Sequence, residues 1–488
     1  MKKKTGIILI LIILLGFGLR FYKLNIPLAD HHSWRQADTA AVARNFAEEN
    51  FDFLRPRIDN LAPLHAPDLP NPQRLFLAEP PIYNSIVAVF YRLFGVKESL
   101  ARLVSVFFYL GSGFFLFFLL KDAFSESMAL WAVFYLVILP FGVFYSRAVL
   151  PESLMIFVSS GMLFTFSRWL EKKSLFSFLT ATVFAALALT QKAFPFFLGL
   201  PMAYLLLKKW GVSFLTQKKK AISLLVYLVL ISAPIFFWRQ WIHNFPQGIP
   251  PFDWLFNQGG IRFRPAFFRW IFFERIGKLI LGIWGLPLFC LGLAVKVRRK
   301  FGWFFHLWLI AFLIYVFVLA SGNVTHDYYQ IPFLPLAAIF LARGTDWLLK
   351  ASGQSFSRII SYLLFFICSV FMLAFSWYQV RDFYFIQGGV DLAGRAVDLL
   401  TPKEALVLTG DSNDATLLYN CHRHGFTGGY ASYFPNDPES LERARSQGAS
   451  VYVTTKISEL EFSEFGRYLR ENYQLIQGSN QYLIFDLR

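Results

Sequence analysis

Four stretches of this sequence crowd ionisable side chains beside apolar runs, and each has a chemistry that its residue types suit. The first is Ala29-Asp30-His31-His32-Ser33-Trp34-Arg35-Gln36-Ala37-Asp38. Asp30 stands between an apolar segment and a helix start, where the helix macrodipole favours a carboxylate as its anion. An anion in that place can take a proton; the plainer reading is a helix-flanking charge at a membrane surface. The second is Glu79-Pro80-Pro81-Ile82-Tyr83. Two prolines fix the backbone and remove two donors, so Glu79 is held in place. Proline at a first helical turn is also common without any function.

The third stretch is a pair of tight turns, Ser146-Arg147-Ala148-Val149-Leu150-Pro151-Glu152 and Thr190-Gln191-Lys192-Ala193-Phe194-Pro195. With Arg35, Arg44, Arg102, Arg262, Arg264, Arg269 and Arg275, the cations Arg147 and Lys192 make a basic set suited to a phosphate group. Anionic lipid headgroups would suit the same side chains. The fourth is Thr325-His326-Asp327-Tyr328-Tyr329-Gln330. Its tyrosines fit a membrane interface, while His326 and Asp327 add a second ionisable cluster.

Other chemistries have weaker support. His31 and His32 are sequence neighbours, which do not project together on a helix. His65, His243 and His326 lie in polar loops, and neither HxxxH nor HExxH spacing occurs. Cys290, Cys368 and Cys421 form no CxxC pair and no disulfide framework. Gly410-Asp411-Ser412 follows a predicted strand, without the further glycines or lysine of a nucleotide loop.

These groups must be positioned by an apolar chain. Of 488 residues 56% are hydrophobic and 19% aromatic, with mean hydropathy +0.46. Runs of about 20 apolar residues recur, each long enough to cross a bilayer as a helix. Spans are predicted near 5–22, 99–120, 127–145, 150–169, 174–190, 194–208, 221–240, 275–296, 303–320, 331–349 and 357–379. With Lys2–Lys4 inside, the basic clusters at Lys121, Lys172–Lys173, Lys208–Lys209, Lys218–Lys220, Lys296–Lys300 and Arg358 all fall on one side. That bias accounts for most of the net charge of +16, and nucleic acid is not an expected partner. The first segment has no small-x-small cleavage site before Arg20 and reads as a retained anchor. Residues 82–95 are too short to cross, carry Arg92, and read as an interfacial helix.

The first outer loop, 23–98, is long. Ser33 and Gln36 have capping-box spacing, and an Ala-rich helix is predicted from there to about Asn50. Beyond about 391 the composition changes. Ala405–Thr409, Val451–Thr455 and Tyr482–Phe485 read as strands, and Pro438–Gln447 and Ser458–Glu471 as helices. The expected organisation is a polytopic α-helical membrane region, 1–380, followed by a small α/β domain, 381–488, outside the membrane.

In this arrangement the chain resembles the membrane-embedded GT-C glycosyltransferases, in particular the branch with protein O-mannosyltransferases and the lipid A aminoarabinose transferase. Asp30 after the first span, Ala43-Arg44-Asn45, Pro56, Glu79-Pro80-Pro81, Arg102, the Arg147–Glu152 turn, the Lys192 turn and Tyr328-Tyr329 to Pro335 carry the resemblance, over roughly residues 1–350. It implies an inverting transferase of the bacterial inner membrane, active at the outer face. The donor would be a polyprenyl-phosphate sugar, hexosyl or pentosyl, and the acceptor a cell-envelope glycolipid, glycan or protein. Asp30 would be the base, with Glu79 a second catalytic acid. Arg147, Lys192 and Arg102 would hold the donor phosphate. Arg35, Asp38, Arg44, His326, Asp327, Tyr328 and Tyr329 would line the substrate site. Glu79 is also a conditional ligand for a divalent ion, with His243 the candidate histidine. The family commonly places two acids together after the first span; here His31 follows Asp30, so a role for Asp38 stays open. The competing class is a transporter or flippase of lipid-linked sugars. It predicts internal repeats and ionisable residues along the midplane of several spans; no repeat is visible, and the ionisable residues gather toward one face.

Overall fold

A computed structural model of the chain describes residues 2–64, 68–297, 300–350, 357–412, 414–429 and 432–488. His65 and part of the Lys296–Lys300 cluster lie outside the described residues. Helix occupies each of the eleven stretches predicted as spans. Among the described residues five helices are long and apolar enough to cross a membrane: Glu98–Ala123, Glu152–Lys172, Lys218–Ile242, Asp327–Lys350 and Arg358–Tyr384. The protein is a polytopic α-helical membrane protein with a small carboxyl-terminal α/β region.

The first helices in chain order are α1 (Lys3–Leu19), α2 (Ser33–Glu48), α3 (Ile82–Phe94), α4 (Glu98–Ala123), α5 (Glu126–Ile138), α6 (Pro140–Tyr145), α7 (Glu152–Lys172) and α8 (Leu175–Gln191). Two compact units form. One contains 1–24, 103–239 and 252–382; the other contains 25–102, 240–251 and 383–488. The long loop after α1 thus groups with the terminal α/β region, whose segment in this unit begins at Phe383.

In the helical unit, α7 and α8 form an antiparallel hairpin. The span-forming helix ending at Lys350 is the inner one: 89% of its apolar window is buried, against 22% for Arg358–Tyr384. Apolar side chains left facing outward are what a hydrocarbon solvent accepts. Small residues set the tightest crossing. A Cβ on Gly344 would lie 2.0 Å from the Leu288 carbonyl oxygen, and one on Gly292 1.8 Å from that of Phe340, so only glycine permits this backbone approach. The region predicted as a span over 275–296 is broken. Wide helical turns over Arg269–Ile280 give way to Gly282 and Ile283 at positive φ (50° and 59°), and a regular helix resumes at Leu286–Ala294.

In the second unit, α2 forms where Ala37, Ala40, Ala41 and Ala43 favour helix. Val42 and Phe46 pack with Ala88 of α3 and with Ile58. The predicted capping box does not form. His32 takes the cap position in a left-handed conformation (φ 53°), Ser33 is already helical, and no side chain caps the start. The Gln36 amide turns instead to Asp30 and to the His31 carbonyl.

The terminal sheet contains β1 (Leu406–Thr409), β2 (Gly425–Thr427), β3 (Ala449–Thr454), β4 (Gln474–Gly478) and β5 (Leu483–Asp486), in the order β2-β1-β3-β5-β4. The first three are parallel, and β5 is antiparallel to both β3 and β4. Alternation along the strands divides two cores. Val407, Val451, Val453 and Ile484 meet the Val390–Leu400 helix on one face; Leu408, Tyr452 and Phe485 meet Leu441, Phe465 and Leu469 on the other. The free edge of β2 is covered by the loop after α2: Gly425 N–H donates to the Asp59 carbonyl (3.1 Å) and Leu61 N–H to that of Gly425 (2.8 Å). Covering an edge removes a row of open backbone groups.

Candidate active site

Asp30 lies just before α2 and is 4% exposed. Its Oδ1 accepts from Gln36 Nε2 at 2.8 Å, and its Oδ2 is 3.8 Å from the Arg102 guanidinium. Arg102 is fully buried and also donates to the Ile26 and Pro27 carbonyls. It thereby ties the segment carrying Asp30 to the start of α4 and presents charge to the carboxylate. His31, next along, stacks on Phe383 with centroids 3.9 Å apart.

Arg35 and Glu79 are brought together at 2.7 Å, with the guanidinium also over the Phe76 ring. A small, shallow cleft lies here, lined by Arg35, Thr39, Phe76, Glu79 and Asn84 among others. Arg44 is paired with Asp59 and donates to the Tyr419 carbonyl, so it joins α2 to the terminal region. Asp38 is partly buried on α2. Burial pushes its carboxyl up to about 7; Arg35 opposes this, while Asp59 and Asp414 add to it.

The expected metal set does not assemble. A guanidinium 2.7 Å away occupies Glu79, His243 is exposed immediately after the Lys218–Ile242 helix, and no group of three ligating side chains contains either residue among the described residues. A positive partner on the carboxylate is the wrong neighbour for a cation.

In the helical unit, Arg147 is 1% exposed and donates to the Lys23 carbonyl at 3.1 Å, with its guanidinium beside Phe144. Its turn is anchored by Ser105, whose hydroxyl donates to the Ala148 carbonyl. Lys192 follows the last residue of α8 and lies 3.4 Å from Glu152, the first residue of α7. Asp327 is buried, accepts from the Tyr145 hydroxyl and pairs with Arg275 at 3.3 Å. His326 stacks on Tyr328 (5.3 Å, 9°) and meets Trp254 edge-on; Tyr329 completes this aromatic group.

Gln36, Glu152, Tyr145 and Gln191 join these groups in the structure, although their sequence contexts do not mark them as site residues. Gln191 offered one signal, an amide next to lysine in a turn otherwise apolar.

This fold is that of the GT-C membrane glycosyltransferases. The model of the dolichyl-phosphate-mannose-protein mannosyltransferase family matches residues 78–238. The chain is similar in structure to ArnT from Cupriavidus metallidurans bound to undecaprenyl phosphate, with TM-score 0.61 and 14% identity over 98% of this chain and 97% of that one. It is also similar to the archaeal oligosaccharyltransferase AglB from Archaeoglobus fulgidus in complex with an inhibitory peptide and a dolichol-phosphate, with TM-score 0.60 and 12% identity over 99% of this chain and 74% of that one. Comparison with curated protein sequences finds no match.

Proposed function

We propose that the protein is an inverting glycosyltransferase that moves a hexosyl or pentosyl group from a polyprenyl-phosphate donor to an acceptor hydroxyl at the outer face of the bacterial inner membrane. The observation that carries this reading is the buried Asp30 carboxylate, fixed by Gln36 and faced by Arg102, in a chain with the GT-C fold. Solved structures of that fold contain undecaprenyl phosphate or dolichol-phosphate. Asp30 takes the proton from the acceptor hydroxyl. The freed oxygen pair attacks the anomeric carbon, the bond from that carbon to the phosphate oxygen breaks, and its electron pair leaves on polyprenyl phosphate. A phosphate is a good leaving group, so the site needs a base and stabilisation of negative charge. Arg147 and Lys192 hold the donor phosphate, and Arg102 orients Asp30. Glu79 assists as a second catalytic acid, and Arg35, Asp38, Asp327, Tyr328 and Tyr329 bind substrate. Arg44 and His326 act through packing and pairing around these groups. The acceptor is a cell-envelope glycolipid, glycan or protein.

The test is incubation of the purified protein with a panel of polyprenyl-phosphate sugars and a lipid extract containing acceptors. Release of free polyprenyl phosphate is expected, and Asp30→Asn should slow it by at least about 100-fold. Release by no member of the panel, or undiminished release by the variant, would overturn the assignment.

A further inference from the structure

Gln191 closes α8 with its side chain 1% exposed, and neither its amide oxygen nor its amide nitrogen has a hydrogen-bond partner among the described residues. Glu152 opens α7 and is 5% exposed; one oxygen faces Lys192, and Oε2 has no partner among the described residues. The α7–α8 hairpin brings these two ends together, as the Lys192–Glu152 distance of 3.4 Å shows. The turn at Asp327–Phe333 packs on α7 as well. There Gln330, fully buried, donates its amide to Asn323 and leaves Oε1 without a partner. Side chains like these keep the full cost of desolvation unless something supplies the missing bonds.

The kind of bond missing narrows the ligand to one that donates hydrogen bonds. Gln191 Oε1, Glu152 Oε2 and Gln330 Oε1 are acceptors, and only Gln191 Nε2 is a donor. Exchanging the two ends of the Gln191 amide changes nothing, since both are open. A phosphodiester offers acceptor oxygens alone and cannot serve three acceptors. Sugar hydroxyls donate as well as accept. Lys192, a donor only, suits the phosphate.

We propose that Gln191 and Glu152, with Gln330 behind them, form the subsite that recognises hydroxyl groups of the donor sugar, next to the phosphate held by Lys192. The proposal rests on the reading of this chain as a polyprenyl-phosphate-sugar transferase and deepens it: selection of the sugar occurs at the outer end of the α7–α8 hairpin. A site built to bond a hydroxyl strongly rejects a ligand that lacks it.

The test uses the full chain in nanodiscs, as wild type, Gln191→Met and Gln191→Ala. Thermal unfolding is measured empty, with undecaprenyl monophosphate, and with undecaprenyl-phosphoryl hexose, N-acetylhexosamine, pentose and aminopentose. Removing an unsatisfied amide should leave the empty Gln191→Met protein at least as stable as wild type. Both variants should bind undecaprenyl monophosphate within about twofold of wild type, yet lose about tenfold or more for the sugar-bearing lipid that wild type prefers. Equal loss for both lipids, or no loss for either, overturns the subsite while leaving the transferase reading in place. So does a fall in empty-state melting temperature in both variants, which marks a structural, water-bridged amide. If wild type binds neither lipid, the transferase reading fails and the subsite with it.

Discussion

Gln36 donates its side-chain amide to Asp30 Oδ1 at 2.8 Å, over a separation of six residues and across the start of α2. The bond replaces the capping box that the sequence predicts, so the first turn of α2 positions an acid instead of closing its own end. Asp30→Asn preserves the shape but removes the base, and transfer should fall by about 10²–10⁴-fold with donor affinity retained. Gln36→Leu keeps the carboxylate and frees its orientation. It should lower kcat by about tenfold and leave KM for the donor within a factor of about two. Steady-state kinetics on both variants check this; a Gln36→Leu effect confined to KM would show that the bond does not serve the base.

Asp38 gives a pH signature in stability. Its ordinary carboxyl value of 3.8 is raised to about 7, first by burial, then by Asp59 and Asp414, against the pull of Arg35. The folded protein therefore holds this proton more tightly than the unfolded chain does. Asp38 is neutral to stability below about pH 4, becomes progressively unfavourable as pH rises toward 7, and levels off above that. Asp38→Asn should stabilise the protein by roughly 1–3 kcal/mol at pH 8 and by much less at pH 4.5. Thermal unfolding of the two proteins across that range measures the difference, and a pH-independent difference would contradict the assigned shift.

The sequence exposed the helical stretches because each buries or faces hydrocarbon along most of its length, and such runs are local signals. It exposed β1, β3 and β5 for the same reason: Val407, Val451, Val453 and Ile484 sit at alternating, buried positions. Strand β2 is three residues long and its pairing depends on Asp59 and Leu61, over 360 residues away. Strand β4, Gln-Leu-Ile-Gln-Gly, is an edge strand with most of its side chains exposed, so no apolar alternation marks it. The helix predicted over Ser458–Glu471 divides at Phe462-Ser463, where Ser463 caps a new helix by accepting from Gly466. At the site, residue types were legible but partners were not. Nothing local in Glu-Pro-Pro-Ile-Tyr specifies Arg35 as the partner of Glu79, and nothing in Thr-Gln-Lys says that the glutamine will be buried without one.

The junction between the loop after α2 and the sheet should loosen in acid. Partial burial pushes the Glu49 carboxyl up, but bonds from His424 and Arg74 outweigh it and hold the group at about 2, below its ordinary 4.5. Its stabilisation is fully present above about pH 4.5 and is lost as pH falls through about 2. Because its side chain is 29% exposed, Glu49→Gln should cost only about 1 kcal/mol at pH 7. The difference should close by pH 2. Hydrogen exchange at the Leu61 and Gly425 amides, which join loop to β2, should quicken in the variant at neutral pH; unchanged exchange there would place the contribution of Glu49 elsewhere.

The Lys192–Glu152 pair makes an opposite prediction for its two members. Their charges lie 3.4 Å apart, with the Glu152 side chain 6% exposed and that of Lys192 24%. Lys192→Met removes the proposed phosphate contact and leaves a buried carboxylate unpaired. It should raise the Kd for undecaprenyl monophosphate by at least about tenfold and lower the melting temperature. Glu152→Gln keeps shape and hydrogen bonding while removing the charge that partly neutralises the ammonium. A second anion near Lys192 then meets less competition, so undecaprenyl monophosphate should bind the same or up to about fivefold more tightly, with a steeper dependence on salt. Transfer from the sugar-bearing lipid should nevertheless fall, because the variant presents an amide where a hydroxyl proton meets a carboxylate oxygen in the wild type. Equilibrium binding at two ionic strengths, together with single-turnover transfer, separates the two effects. If Glu152→Gln weakens the sugar-free lipid as much as Lys192→Met does, Lys192 is a partner of Glu152 in the fold and the phosphate is held elsewhere.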